Sequence, residues 1–289
     1  MRRVIFNKKG GVGKSTITCN LAAVSAKRGK RTLVIDLDPQ CNSTQYLLGS
    51  AREQPKTTMA DYFKEFLRFS LLKDRLESFI QETPFPNLFI LPSHPELTDL
   101  EVKLEARYKM LKLRESLQFL HGYDEVFIDT PPALNFYTRS ALIACRFCLI
   151  PFDCDDFSRR ALYDLIENVN EIRQDHNPEL EIEGIVVNQY QSRAKLPRRM
   201  VDELREEGLP VLAPYLSSSV QIRESHQRSL PMIHLSPKHK LSQQFDALYT
   251  GLLERSYTKS TAELFEDGER AKKSARKGEK RPSTDDALS

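Results

Sequence analysis

The octapeptide Lys9-Gly10-Gly11-Val12-Gly13-Lys14-Ser15-Thr16 constrains this chain more than any other stretch. A strand-like run, Arg3–Phe6, leads into it and a helical stretch, Ser15–Arg28, leads out. In that context glycines let backbone N–H groups converge on phosphate oxygens, and the helix N-terminus adds a positive dipole. Lys14 would bring a point charge to the β- and γ-phosphates, and Ser15 would ligate Mg²⁺. Gly10, Gly11, Val12, Gly13, Lys14, Ser15 and Thr16 are therefore the expected ATP-binding residues.

The rest of the chain alternates short apolar runs with longer amphipathic ones, the pattern of an α/β fold with a mostly parallel, twisted sheet and helices on both faces. Strands are expected at Arg3–Phe6, Thr32–Ile35, Leu88–Leu91, Glu125–Ile128, Phe147–Pro151, Ile182–Asn188 and Val211–Ala213. Helices are expected at Ser15–Arg28, Ala60–Glu82, Glu96–Leu120, Ser158–His176, Pro197–Glu206 and Lys240–Arg255. Ser158 is the expected N-cap of the fourth, with Leu162, Leu165, Ile166, Val169 and Ile172 forming its inward stripe. Past residue 255 the periodicity stops, and Gly268–Arg281 is rich in lysine and arginine without a large apolar residue. We expect one ATP-binding domain, 1–255, and a basic, disordered tail, 256–289.

Two carboxylate-bearing strand ends accompany the loop. Ile35-Asp36-Leu37-Asp38-Pro39-Gln40 ends the second strand, and Val126-Phe127-Ile128-Asp129-Thr130-Pro131-Pro132 has the form of a Walker B strand with its acid at the tip. Carboxylates at the C-terminal ends of such strands face the ligand crevice and can hold a metal or its water. Asp129 is expected to join Ser15 at Mg²⁺, and the Pro131-Pro132 pair stiffens a loop placed to sense the γ-phosphate.

The phosphate loop departs from the ordinary pattern. Lys8 stands where a glycine six residues before Lys14 is usual, and a second lysine, Lys9, precedes the Gly-Gly pair. In this the chain resembles the deviant Walker A loop of the ParA/MinD family of partition and positioning ATPases, in its ParA/Soj-like branch. The resemblance spans roughly residues 2–250. It implies that Lys9 reaches across a dimer interface to the partner's nucleotide, that Asp38 is the hydrolytic residue and a metal-water ligand, and that Asp36 supports the loop. It also places Asn188 at the adenine, since an amide offers both donor and acceptor; a structural turn asparagine is the other reading.

Within that wide superfamily several rivals need weighing. Iron–sulfur carriers use cysteines, and Cys145-Arg146-Phe147-Cys148 contains a C-x-x-C pair, but Cys148 lies in an apolar run that reads as core strand. The five cysteines are odd in number and suggest free thiols. Membrane positioning of the MinD kind needs an amphipathic C-terminal helix, whereas the tail offers only Leu264, Phe265 and Leu288 as bulky apolar residues. Small-molecule synthetases of the superfamily lack a lysine placed as Lys9 is, or need a further substrate pocket. No apolar run approaches the roughly 18–20 residues of a membrane span, and MRRVIF enters a strand with no leader, so a cytoplasmic protein is expected, and the resemblance adds association with the nucleoid.

What remains is nonspecific duplex DNA as the matrix. Arg193, Lys195, Arg198 and Arg199 cluster after Asn188, and Arg223, His226 and Arg228 lie in a segment resembling the family's DNA-binding region, with Gln221 where many relatives have arginine. Of these, Lys195, Arg198, Arg199, Arg223 and Arg228 are the candidate contacts, each of which would also be at home on a solvated surface. The resemblance thus implies an ATP-dependent homodimer, weakly hydrolytic and stimulated by a cargo or adaptor protein, that positions or segregates a chromosome, plasmid or protein assembly without membrane attachment. Operator-specific repression is not expected, because the first strand begins at residue 3.

Overall fold

The computed structural model describes residues 1–49, 55–68, 75–154 and 159–255. The expected N-cap Ser158 and the tail 256–289 lie outside the described residues. Seven strands form one sheet: β1 (Arg2–Ile5), β2 (Thr32–Asp36), β3 (Gln81–Glu82), β4 (Leu88–Leu91), β5 (Glu125–Asp129), β6 (Phe147–Asp153) and β7 (Glu181–Asn188). Their order is β3-β4-β2-β5-β1-β6-β7, and every neighbouring pair is parallel except the two-residue edge pairing of β3 with β4. The helices are α1 (Lys14–Lys27), α2 (Asn42–Leu48), α3 (Met59–Glu65), α4 (Leu97–Ala106), α5 (Lys112–Gln118), α6 (Phe136–Ala144), α7 (Arg159–Asp175), α8 (Lys195–Glu206), α9 (Gln221–Gln227) and α10 (Met232–Leu235), and residues 240–255 are also helical. Met1–Tyr249 forms one compact unit, and Thr250 begins a second.

Every residue of β2 and β5 is buried, as strands covered on both faces must be. Leu33 and Ile35 point into one core with Ile128, Phe136 and Leu142, while Val34, equally buried, belongs to the other face. Arg3 of β1 is fully buried and bonded to Glu183 at 2.7 Å and to Glu125. These contacts tie β1 to β5 and β7.

Several expected elements differ from those observed. The stretch Ala60–Glu82 is not one helix. A Thr58/Asp61 capping box starts α3, which ends at Glu65, and a 3-10 turn at Leu76–Phe79 leads into β3. Glu96–Leu120 is split into α4 and α5 by Tyr108, whose φ of 54° no helix admits. Leu97, Leu100 and Leu104 of α4 and Leu113 and Leu117 of α5 are nonetheless buried, so each helix carries its own inward stripe. Val211–Ala213 forms a single bridge from Val211 to Ile185 rather than a strand. Pro210 and Pro214 flank it and have no N–H to extend a ladder. Leu212 packs so closely on Gly184 that a Cβ there would lie 2.4 Å from it.

Candidate nucleotide site

The phosphate loop runs from the end of β1 to α1 at the C-terminal edge of the sheet. Asn7 fixes its entry: buried and two residues before Lys9, it donates to the Pro151 carbonyl at 2.7 Å and accepts the Lys9 N–H at 2.9 Å. Gly11 and Gly13 have φ of 78° and 93°, which only glycine adopts readily. At Gly13 a side chain would also meet Asn188 Nδ2 at 2.3 Å. Over Gly10 and Gly11, by contrast, a Cβ would meet nothing within 4 Å, so the loop opens to a ligand there.

Lys14 is 7% exposed, and its ammonium donates to the Lys9 carbonyl at 2.9 Å. Burial lowers its pKa, while Asp129 and Asp38 pull it back up. A lysine bent onto its own loop is placed to exchange that carbonyl for a phosphate oxygen. The main chain of Lys9 is thereby held on both sides, by Asn7 and by Lys14. Lys8 is exposed.

Asp36 and Asp129 are aligned across the paired tips of β2 and β5. Asp36 is fully committed to the protein: one oxygen accepts the Thr44 N–H and hydroxyl at 2.8 and 2.7 Å, the other the Asp38 N–H at 3.1 Å. Burial, then Asp129, holds its carboxyl well above the usual carboxylate range. Asp38 caps its own turn through the Gln40 N–H at 2.9 Å, and burial raises its pKa against the pull of that N–H and of Lys14. Asp129 accepts the Ser43 hydroxyl at 2.7 Å on Oδ2, and its buried Oδ1 has no hydrogen-bond partner. Burial pushes Asp129 up to about 6; the Ser15 hydroxyl, near the carboxyl without completing a hydrogen bond, and the bonded Ser43 hydroxyl oppose the shift, and Asp38 reinforces it.

These observations test whether nucleotide and metal fit. An acceptor buried without a donor is costly, and two buried carboxylates, Asp38 and Asp129, face one buried ammonium, an imbalance that a divalent cation would relieve. No cluster of three or more His, Cys, Asp or Glu able to cage a metal occurs among the described residues. Mg²⁺ in a nucleotide site needs none, since phosphates and waters complete its shell. Ser15, Asp38 and Asp129 fit that role, and Gly10 to Thr16 fit a polyphosphate.

Asn188 ends β7, and its Nδ2 donates to the Val12 carbonyl at 2.9 Å, bracing the loop. The next residue, Gln189, donates to Asp153 at 2.7 Å and reaches the Gly11 carbonyl at 3.4 Å. Sequence reasoning passed over Asn7, Ser43, Thr44 and Gln189. Only Asn7 left a trace there, as a side chain able to cap the turn that follows it.

The basic candidates fall on two helices, α8 and α9, with Arg228 at the C-cap of the second. Lys195, Arg198 and Arg199 are exposed on α8 but share a shallow depression with Asp202, Glu203 and Glu206, and Arg199 pairs with Glu203 at 2.8 Å. Arg223 is exposed on α9, and Arg228 pairs with Glu224 at 2.9 Å. His226 does not join them at the surface: its Nε2 lies 2.9 Å from the Thr16 hydroxyl. All five cysteines are buried and none is in a disulfide, and burial pushes the Cys145 thiol up to about 12 and Cys148 higher still. Among the described residues no helix is long and apolar enough to cross a membrane.

A parallel sheet with this loop at its edge and paired acids at neighbouring strand tips defines a P-loop ATPase. A family model described as an AAA domain matches residues 3–182. The chain is similar to the chromosome partitioning protein ParA of Myxococcus xanthus, 33% identical over 263 residues that cover 89% of each chain. It is also similar to the chromosome-partitioning ATPase Soj of Treponema pallidum, 32% identical over 92% of this chain and 98% of that one. Among solved structures, cobyrinic acid a,c-diamide synthase from Mycobacterium smegmatis with bound ADP and magnesium superposes with a TM-score of 0.75 at 24% identity, covering 89% of this chain and 95% of that one. That likeness shows the fold alone. The chain belongs to the ParA/Soj family of partition ATPases.

Proposed function

We propose that this protein is an ATP-dependent dimerising switch that positions or segregates a cargo, with nonspecific duplex DNA as its matrix. The observation that carries the reading is the fixed main chain of Lys9 at the mouth of a loop whose own lysine, Lys14, is buried beside Asp38 and Asp129. A side chain presented from a clamped backbone can serve a second nucleotide without disturbing the first. Gly10 to Gly13 would cradle the phosphates with Lys14 and Thr16, and Ser15, Asp38 and Asp129 would hold the hydrated metal. When bound, Mg²⁺ supplies neutralisation of the developing phosphate charge.

Asp38 orients water at the γ-phosphate, and Lys9 of one subunit neutralises charge on the other's triphosphate, so dimerisation reports nucleotide state. Asn188, already against the loop, reads the adenine edge. The ATPase domain spans 1–255, and the basic tail 256–289 lies beyond it. The protein acts in the cytoplasm on the nucleoid, and a cargo or adaptor protein stimulates its hydrolysis.

Light scattering after size exclusion tests the switch. With a slowly hydrolysed ATP analogue the chain should elute as a dimer, and Lys9→Ala should remain monomeric while still binding the analogue. A wild-type monomer at every concentration refutes the reading.

A further inference from the structure

Thr16 and His226 stand 210 positions apart in sequence, yet Thr16 Oγ1 lies 2.9 Å from His226 Nε2. The imidazole stacks on Tyr46, with ring centroids 4.0 Å apart and planes 21° from parallel. Burial lowers its pKa, so the ring is neutral near pH 7, one nitrogen donating and the other accepting.

Two routes from the nucleotide end of the sheet meet on α9. The first leaves the phosphate loop directly, through Thr16 to His226. The second leaves the carboxylates through α2. Its residues Ser43 and Thr44 hold Asp129 and Asp36, and its Tyr46 stacks on His226 and shares a hydrogen bond with Ser225 of α9. Asn20 of α1 ties the two together, donating to the Thr16 carbonyl at 2.8 Å and the Tyr46 hydroxyl at 3.2 Å, and accepting the Met232 N–H at 2.8 Å. The seven-residue α9 so anchored carries the exposed Arg223, and Arg228 caps its C-terminal end.

We propose that His226 is a positioning residue that transmits phosphate occupancy at Thr16 to α9, and with it the placement of Arg223 and Arg228. The Thr16 hydroxyl has one proton to give. A phosphate oxygen can only accept, so a phosphate that engages Thr16 takes that proton's direction. The contact with His226 then survives only if Nε2 carries the imidazole proton and donates to Oγ1. Occupancy thereby selects one tautomer and one ring setting, and the stack on Tyr46 couples that choice to α2. Such an element, biased from two sides of one site, is the physical requirement for coupling between sites.

This inference rests on the nucleotide site proposed above, and its test separates the two. Hydrogen exchange of the α9 amides is compared in the free chain and at analogue concentrations that saturate each variant. In the wild type, exchange over Gln221–Gln227 should change by about fivefold or more, the lower end of ordinary site coupling. His226→Phe keeps an aromatic ring on Tyr46 but removes the nitrogen, and Thr16→Ala removes the other partner. Each should reduce the response to below about twofold, and His226→Gln, whose amide reaches a similar position, should restore part of it. A full response in either deletion variant, or none in the wild type, overturns the proposal. DNA affinity measured on the same samples assigns any failure. A responding α9 in a chain that binds no DNA leaves the coupling standing and removes the DNA matrix. Nucleotide-dependent DNA binding over a silent α9 does the reverse.

Discussion

Asp36, Asp38 and Asp129 share a chemistry and differ in what their oxygens already hold. Asp36 has both oxygens bonded to the chain, whereas Asp129 keeps one buried oxygen without a partner. Asp38→Ala should therefore leave nucleotide affinity within about threefold and lower turnover by at least about a hundredfold, because it removes the positioning of water and not a phosphate contact. Steady-state hydrolysis beside equilibrium binding checks this, and wild-type turnover would reassign the hydrolytic role. Gly13→Ala acts earlier. It forces a side chain into φ 93° and to 2.3 Å of Asn188, so it should cost about 1–3 kcal/mol of stability and abolish analogue binding, read by melting and titration. A third effect concerns pH. His234 stacks on Phe85 with Nε2 buried and unpartnered, and burial, then Lys27, lowers its pKa below 6.5. The unfolded chain then binds the proton more readily than the folded one, so this contribution is intact above the unfolded pKa and is lost as pH falls toward the folded value. His234→Phe should gain melting temperature over the wild type by ~2 °C more at about pH 5.5 than at about pH 7.5. Parallel pH profiles would show that His234 is not the source.

At the scale of elements, what was legible in the sequence was what local pattern dictates. The phosphate loop, the strands ending in Asp36 and Asp129, and the two-sided burial of the central strands follow from glycine spacing and continuous apolar runs. Less legible were elements set by distant partners. α2 has weak apolar periodicity and begins after Cys41 at φ 57°, and its place is fixed by Ser43 and Thr44 meeting carboxylates from other strands. His226 looked like one more basic surface residue, because nothing local reveals a partner 210 positions away. Arg3 was hidden the same way, inside an apolar run where a charge is expected to face water. Its burial between Glu125 and Glu183 links the start of β1 to its neighbour β5 and, past β6, to β7. Arg3→Met should destabilise the fold by about 3–5 kcal/mol, since it takes the guanidinium from two buried carboxylates, of which Glu125 keeps Lys30 at 3.4 Å, and adding Glu125→Gln and Glu183→Gln should recover part of the loss. Urea unfolding of the single and triple variants measures both, and a single variant within about 1 kcal/mol of wild type would show that the network is dispensable.

At the scale of the whole molecule, the question is how a chain with a net charge of only +3 could hold DNA in one nucleotide state and release it in another. The charges on α8 are partly answered within the protein, since Arg199 pairs with Glu203 and the neighbouring depression includes Asp202 and Glu206. Arg228 is likewise paired, with Glu224. These two helices of one monomer therefore neutralise few phosphates and offer a weak, salt-sensitive contact. Pairing two copies doubles the contacts and makes the second an intramolecular event, which raises avidity and steepens the dependence on salt. The ATP-bound dimer should accordingly bind duplexes of any sequence, with a slope of log affinity against log salt about twice that of the nucleotide-free chain. Charge reversal at Arg198, Arg199 and Arg223 should weaken all sequences alike and spare ATP binding. The lysines and arginines past residue 255 are a separate source, because a basic segment needs no nucleotide to meet phosphate. Fluorescence anisotropy with the full chain and with one ending at Arg255, each over a salt series with and without the analogue, separates them. If binding proves independent of nucleotide and vanishes with the shortened chain, the basic segment holds the DNA and the dimer does not gate it.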